Sequence, residues 1–407
     1  MLSPLNAPPA SAQKIPTRSI LLLAAAGFAA QAQVRVTDSL LPQIANDFQT
    51  TVGVAAIVVT AYAITHGTIQ FVVGPVADRF GKYRTVAIIS VLAAVLVAVC
   101  GTASTLPQLA LARLATGAVV GWVIPVSMAY LGDVTPADRL QPLLARYASG
   151  YIFGQLFGQA AGGVLGDLFG WRNVFFALAA MFALAAVGLV AELIFNPQTR
   201  ATGKSVDSRS FVGNYSAVLS NPFARIIIAV GFIEGGLAWG AFAYIGASLH
   251  LRFGLSYTLI GITVAFFGIG GLIYAGLVRL FVNRMGQLAL PIAGSLVIAG
   301  AYIVLAFQSV WWLAPVATIA IGLGFYMFHN TLQTVATQMT PQARGTAVSI
   351  FSSALYLGQT AGVALGALVI DRAGAVPIFL GTAVAFPLLA VWFAYKLRQR
   401  PTQQRTS

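Results

Sequence analysis

Apolar runs of about twenty residues alternate with short polar breaks along the whole chain. Twelve runs can be marked, at 19–41, 52–76, 85–104, 107–131, 143–167, 174–195, 223–248, 257–281, 288–308, 311–337, 346–370 and 376–397. Twenty residues at the helical rise cover the roughly 30 Å hydrocarbon core of a bilayer. Lipid offers no partner to backbone N–H and C=O groups, so each run is predicted to be a helix. The first run has a second reading: Lys14 and Arg18, then Ile20–Ala30 and the tripeptide Ala30-Gln31-Ala32, imitate a secretory signal with its cleavage site. Cleavage there would leave five helices in the first half and spoil the internal repeat described below.

Composition agrees with a lipid-solvated chain. Hydrophobic residues are 58% of the 407 and charged residues 8%, with a mean hydropathy of +0.84. A water-soluble domain covers itself with roughly 25% charged residues, so the bilayer is this chain's first partner. The net charge of +13 would suit nucleic acid only if gathered on one water-facing patch. Instead, eighteen of the 23 lysines and arginines fall on the side of the predicted spans that holds both termini. Arg172, Arg252 and Arg372 occupy the opposite loops, and Arg35 and Arg113 fall inside spans. The positive-inside rule makes that first side cytoplasmic, so the charge is a topology signal and no nucleic-acid partner is expected. The expected location is the cell inner (plasma) membrane. Cys100 is the one cysteine, which excludes an internal disulfide, a Cys-based zinc site and an iron–sulfur cluster. No metal and no cofactor is expected. Neither H-E-x-x-H nor G-x-S-x-G occurs, so an intramembrane enzyme is disfavoured.

Residues 196–221 form the one long polar interior stretch. They divide the chain into a cytoplasmic tail (1–18), a six-helix bundle (19–195), a cytoplasmic linker (196–221), a second six-helix bundle (222–397) and a tail (398–407). Within the linker, Phe211, Val212, Tyr215, Val218 and Leu219 recur at helical spacing and predict a short helix on the membrane surface. Thr202-Gly203-Lys204-Ser205 has the form of the end of a phosphate-binding loop. Gln198 stands where that loop needs its first glycine, and no strand precedes it, so ATP binding is dismissed. The two bundles repeat each other. Asp78-Arg79-Phe80-Gly81 aligns with Asn283-Arg284-Met285-Gly286 at an offset of 205, as do Gly117 with Gly322, Thr135-Pro136 with Thr340-Pro341 and Arg139 with Arg344. The string Gly158–Gly166 aligns with Gly358–Gly366 at an offset of 200. Two parallel six-helix repeats with a substrate path between them is the plan of one large class of secondary transporters.

Specific motifs narrow that class. GPVADRFGKYR at Gly74–Arg84 resembles the signature loop between helices 2 and 3 of the major facilitator superfamily. In it Gly74 is expected to permit close helix approach, Asp78 and Arg79 to sit at the membrane edge, and Gly81 to turn the chain towards Arg84. The resemblance implies that Asp78 latches onto the start of helix 11 when the cytoplasmic side closes. Asn283 replaces the acid in the second copy, so such a latch is asymmetric. A plain positive-inside turn is the alternative. ARLATG at Ala112–Gly117 resembles the family's fourth-helix motif, which implies that Arg113 faces the cavity and couples to proton movement. A purely structural role, bonding helix ends, remains open. Helix 5 carries glycine at every fourth position from Gly150 to Gly162. This resembles the fifth-helix motif of proton-driven drug antiporters, with Gln159 where that motif has proline, and close packing explains the glycines as well. The implied fold is an all-α membrane protein of twelve helices in two pseudo-symmetric six-helix bundles.

The candidate chemistry concentrates in helix 1. Gln31, Arg35 and Asp38 are spaced by four and three, and form one polar stripe on an apolar helix. Such groups avoid lipid and mark substrate or proton paths. Protonating Asp38 would release Arg35, which makes a switchable site; a static pair is the alternative. The segment Asp38–Phe48 resembles the end of helix 1 in drug-antiporter-like members. Glu234 is the acid deep in the second half, hence the second proton candidate, unless headgroups wet it. Further cavity candidates are His66, His329 and Asn330, followed by Tyr62, Gln70, Gln155, Trp239, Tyr244 and Gln333. Glu192 and Asp371 sit at span ends and need no special role. The chain reads as a secondary active transporter of a small organic solute working by alternating access, a proton-coupled drug or metabolite exporter acting as a monomer. A proton-coupled importer and a non-transporting membrane sensor are the competing readings.

Overall fold

The computed structural model describes residues 17–200 and 208–399. The tail up to residue 16, the Thr202–Ser205 tetrad and the tail from residue 400 lie outside the described residues. Every regular element described is a helix. In the first half these are α1 (Thr17–Arg35), α2 (Thr37–Asp47), α3 (Val52–Ala55), α4 (Ile57–Ile69), α5 (Val73–Phe80), α6 (Lys82–Thr102), α7 (Leu106–Val120), α8 (Val123–Val134), α9 (Ala137–Phe169) and α10 (Trp171–Phe195). The linker carries α11 (Ser208–Ser220). The second half contains α12 (Pro222–Phe242), α13 (Ile245–Phe253), α14 (Tyr257–Phe307), α15 (Leu313–Gln338), α16 (Arg344–Ala373) and α17 (Val376–Arg398).

Among the described residues, nine helical segments are long and apolar enough to cross a bilayer, or ten with the α1–α2 pair, which bends by 47°. Apolarity alone therefore does not return the expected twelve. Two features bear on the difference. The 51 residues of α14 would make a rod of about 76 Å, more than twice a bilayer core. Its backbone is broken at Gly286, with φ of 66°, so it is two spans joined at a turn. The other feature is α9, whose 33 residues cross by length but carry Gln155 and Gln159 on an interior face. The α1–α2 bend also has a local cause. Pro42 lies inside α2 and has no N–H for the carbonyl of Asp38, four residues back.

The internal repeat is visible in the packing. A Cβ on Gly158 of α9 would collide with the backbone of Ala32 on α1, and one on Gly358 of α16 with the backbone of Phe232 on α12. Both contacts repeat at the offset of 200. A Cβ on Gly117 would strike the Tyr62 carbonyl, and one on Gly322 the Phe267 carbonyl, both at the offset of 205. The turn glycines match too: Gly81 has φ of 90° and Gly286 of 66°, in a region where side chains other than glycine's are strained. The glycine strip of helix 5 is thus the seam on which α1 lies. We expect Gly158→Ala to cost about 1–3 kcal/mol through overpacking, seen as a lower melting temperature in detergent. Gly74→Ala should leave it unchanged, because a Cβ there meets nothing within 4 Å. The expected role of Gly74 in close helix approach is corrected accordingly: it is exposed and nothing packs on it.

Candidate functional site

The break between α1 and α2 puts a charged pair inside the bundle. Arg35 is 4% and Asp38 3% exposed. Their closest atoms, Nη1 and Oδ2, are 3.9 Å apart, a loose pairing for buried charges. Asp38 Oδ2 also accepts a long bond from Gln159 Nε2 at 3.4 Å, and Gln31 Nε2 donates to Gln155 Oε1 at 3.4 Å. The glycine seam makes these contacts possible: by drawing α9 against α1 it brings Gln155 and Gln159 alongside the polar stripe. Gln159, which stands where the antiporter motif has proline, therefore reaches the Asp38 carboxylate.

Arg35 also crosses to the other half. Its guanidinium carbon lies 3.4 Å from the ring centroid of Trp239 on α12, a cation–π contact in a site closed off from water. From Trp239 an aromatic path leads inward: its ring is 5.0 Å from that of Phe325, which stacks on His329 at 4.9 Å and 11°. His329 Nδ1 lies 3.0 and 3.2 Å from the two carboxylate oxygens of Glu234. Glu234 is fully buried, so headgroups do not wet it. The two candidate acids thus sit at opposite ends of one chain: Asp38, Arg35, Trp239, Phe325, His329, Glu234.

On α4 the Tyr62 and His66 rings lie 5.3 Å apart, and the His66 ring is 4.2 Å from that of Tyr356 on α16. Arg35 Nε, Tyr62 Oη, His66 Nδ1, Gln155 Nε2 and Gln159 Oε1 are buried and have no hydrogen-bond partner among the described residues. Buried polar atoms are normally bonded, so these five are groups that a solute or its water can satisfy. Arg113 is different. Its Nε donates to the Val58 carbonyl at 3.1 Å and its Nη1 to the Gln33 carbonyl at 3.3 Å, and the Tyr62 ring covers it at 4.2 Å. It ties helix 4 to helices 2 and 1 beside the site.

A model of the Major Facilitator Superfamily matches residues 23–343 and again 292–407. The chain belongs to the major facilitator superfamily. It is 24% identical over 358 residues to the uncharacterized MFS-type transporter YceJ of Bacillus subtilis (strain 168), covering 86% of this chain and 88% of that one. A chloramphenicol resistance protein of Streptomyces lividans is 25% identical over 370 residues, 86% and 91% of the two chains. Among solved structures, a bacterial homologue of the human lysosomal transporter Spinster superposes with a TM-score of 0.77 at 17% identity, covering 96% and 99%. A D-xylose–proton symporter gives 0.75 at 16%, with the same coverage. These likenesses establish the fold of a multi-pass membrane transporter.

Several candidate residues of this superfamily member fall elsewhere. Tyr244 was expected to line the cavity. It is fully buried at the α12–α13 break and donates to the Val363 carbonyl at 2.6 Å, so its hydroxyl holds helix 7 to helix 11. Asn330 is 100° round α15 from His329. With exposed Gln333 it lines a separate cleft of about 300 Å³ beside Tyr274 and Gly286, not the Arg35 cluster. Gln70 donates to the Gly121 carbonyl at 3.0 Å and is likewise structural. At the signature loop, Lys82 bridges Asp78 at 3.1 Å and Asp133 at the end of α8, so Asp78 is paired within its own half. Arg79 and Arg84 are exposed. Glu192 has a role after all: it accepts from Ser19 and Asn196 and pairs with Arg18, fastening the start of α1 to the end of α10.

Proposed function

We propose that this protein is a proton-coupled exporter of a small organic solute, working as a monomer in the inner membrane with both termini cytoplasmic. The observation that carries the reading is the Arg35–Trp239 contact. It joins the two halves at their centre and has a loosely held carboxylate, Asp38, on one side and the Glu234–His329 pair on the other. A solute entering there would meet an aromatic wall, five unsatisfied polar atoms and a carboxylate able to change charge. The lining favours flat aromatic solutes with a few hydrogen-bonding groups, which stack on rings such as Trp239 and Tyr356. A relative named for chloramphenicol resistance supports the outward direction.

The test is a tolerance screen with aromatic antibiotics and metabolites in a pump-deficient host, followed by uptake into inverted vesicles. Accumulation that collapses when an ionophore abolishes the pH gradient is expected. Accumulation indifferent to the ionophore would overturn the coupling. Orientation has its own check. A fluorescent protein fused after Ser407 should be lit in the cytoplasm, and an alkaline phosphatase fused there should stay inactive. A strong phosphatase signal would break the assignment.

A further inference from the structure

Asp167 and Asp371 lie at the ends of α9 and α16, on the face of the bundle opposite the termini. Each carboxylate reaches into the other half. Asp371 Oδ1 accepts the Gly53 backbone N–H at 2.9 Å and its Oδ2 the Thr51 hydroxyl at 2.6 Å. Asp167 Oδ2 accepts the Thr258 hydroxyl at 2.7 Å and the Thr258 backbone N–H at 3.3 Å. The arrangement is the same twice over: an acid at a helix C-terminus in one half, bonded to one hydroxyl and one amide in the first turn of a helix in the other. The first turn of a helix has free N–H groups and favours negative charge, so both acids cap the helix they touch.

The backbones below each acid are drawn together. A Cβ on Gly53 would collide with Asp371 and with the Ala367 carbonyl, and one on Gly163 with Gly261 and the Tyr257 carbonyl. These two seams, helix 2 on helix 11 and helix 5 on helix 8, shut the face opposite the termini. At the other face Asp78 is paired inside its own half. Rocking of the halves that opens the shut face must break all four carboxylate bonds together, because neither acid can follow both halves.

We propose that Asp167 and Asp371 form a paired gate whose cross-half capping bonds hold the far face closed and must break for it to open. The proposal needs alternating access but neither proton coupling nor a direction of transport, so it can fail while the exporter reading stands, and the reverse. The experiment needs no solute. In the full-length protein with Cys100→Ser, a single reporter cysteine is placed by Gln31→Cys, and its labelling from the far face is followed with a membrane-impermeant maleimide. Asp167→Ala together with Asp371→Ala should raise the labelling rate at least fivefold, with each single variant intermediate. An unchanged rate in a double variant that runs as a monodisperse peak overturns the proposal. A second arm does not depend on how the alanine variants fold. Thr51→Cys with Asp371→Cys, joined by a short thiol cross-linker, should hold reporter labelling at its floor until reductant cleaves the link. Labelling that proceeds through the cross-link overturns the proposal equally.

Discussion

Asp38→Asn is expected to abolish uphill transport driven by a pH gradient, by at least tenfold in initial rate, while exchange without net proton movement stays within about threefold of the parent. The amide copies the protonated carboxyl in size and shape, so the packing around it is kept. What it removes is the change of charge. The structure gives a reason to choose Asp38 over Glu234. Asp38 is held loosely, by Arg35 at 3.9 Å and Gln159 at 3.4 Å, and a proton on it breaks little. Glu234 is held more closely, at 3.0 and 3.2 Å by His329 Nδ1. Glu234→Gln belongs in the same assay. If Asp38→Asn still concentrates solute while Glu234→Gln cannot, the proton is carried on helix 7.

Trp239→Ala should lower the transport rate by about thirtyfold. A desolvated cation–π contact contributes about 2 kcal/mol, and 1.4 kcal/mol is a factor of ten in rate. The alanine also removes the support of Phe325, on which His329 stacks, so both candidate proton groups would lose their positioning at once. Trp239→Phe keeps a ring with a weaker face and should cost about threefold. Initial rates per inserted protein molecule in vesicles separate these outcomes. A Trp239→Ala variant within twofold of the parent would remove the Arg35–Trp239 contact from the mechanism.

The stripe of Gln31, Arg35 and Asp38 was legible because helical period puts neighbours of one face four and three residues apart. The same logic gave the repeat, since glycines that let backbones touch recur at fixed offsets in both halves. What lay beyond the sequence is which faces meet. Gln159 reaches Asp38 across 121 residues, and Gly53 reaches Asp371 across 318; no local period encodes either. Asp371 therefore read as an idle span end, and Tyr244 as a cavity residue when its hydroxyl in fact bonds helix 11. Asn330 went astray for a related reason, since one residue's step along a helix turns a side chain by 100°. The polar break between the runs 257–281 and 288–308 was legible too, and the structure turns the chain there at Gly286.

The most direct test of the central claim is the movement of protons that accompanies solute. Proteoliposomes holding the protein and a solute found by the tolerance screen carry a trapped pH dye, with the membrane voltage clamped. On dilution into solute-free buffer the solute runs out, and an exchanger must admit protons as it does so, whichever way each molecule is inserted. The account predicts internal acidification that disappears in Asp38→Asn. Alkalinisation would make the protein a symporter, and solute efflux with no pH change would contradict proton coupling altogether.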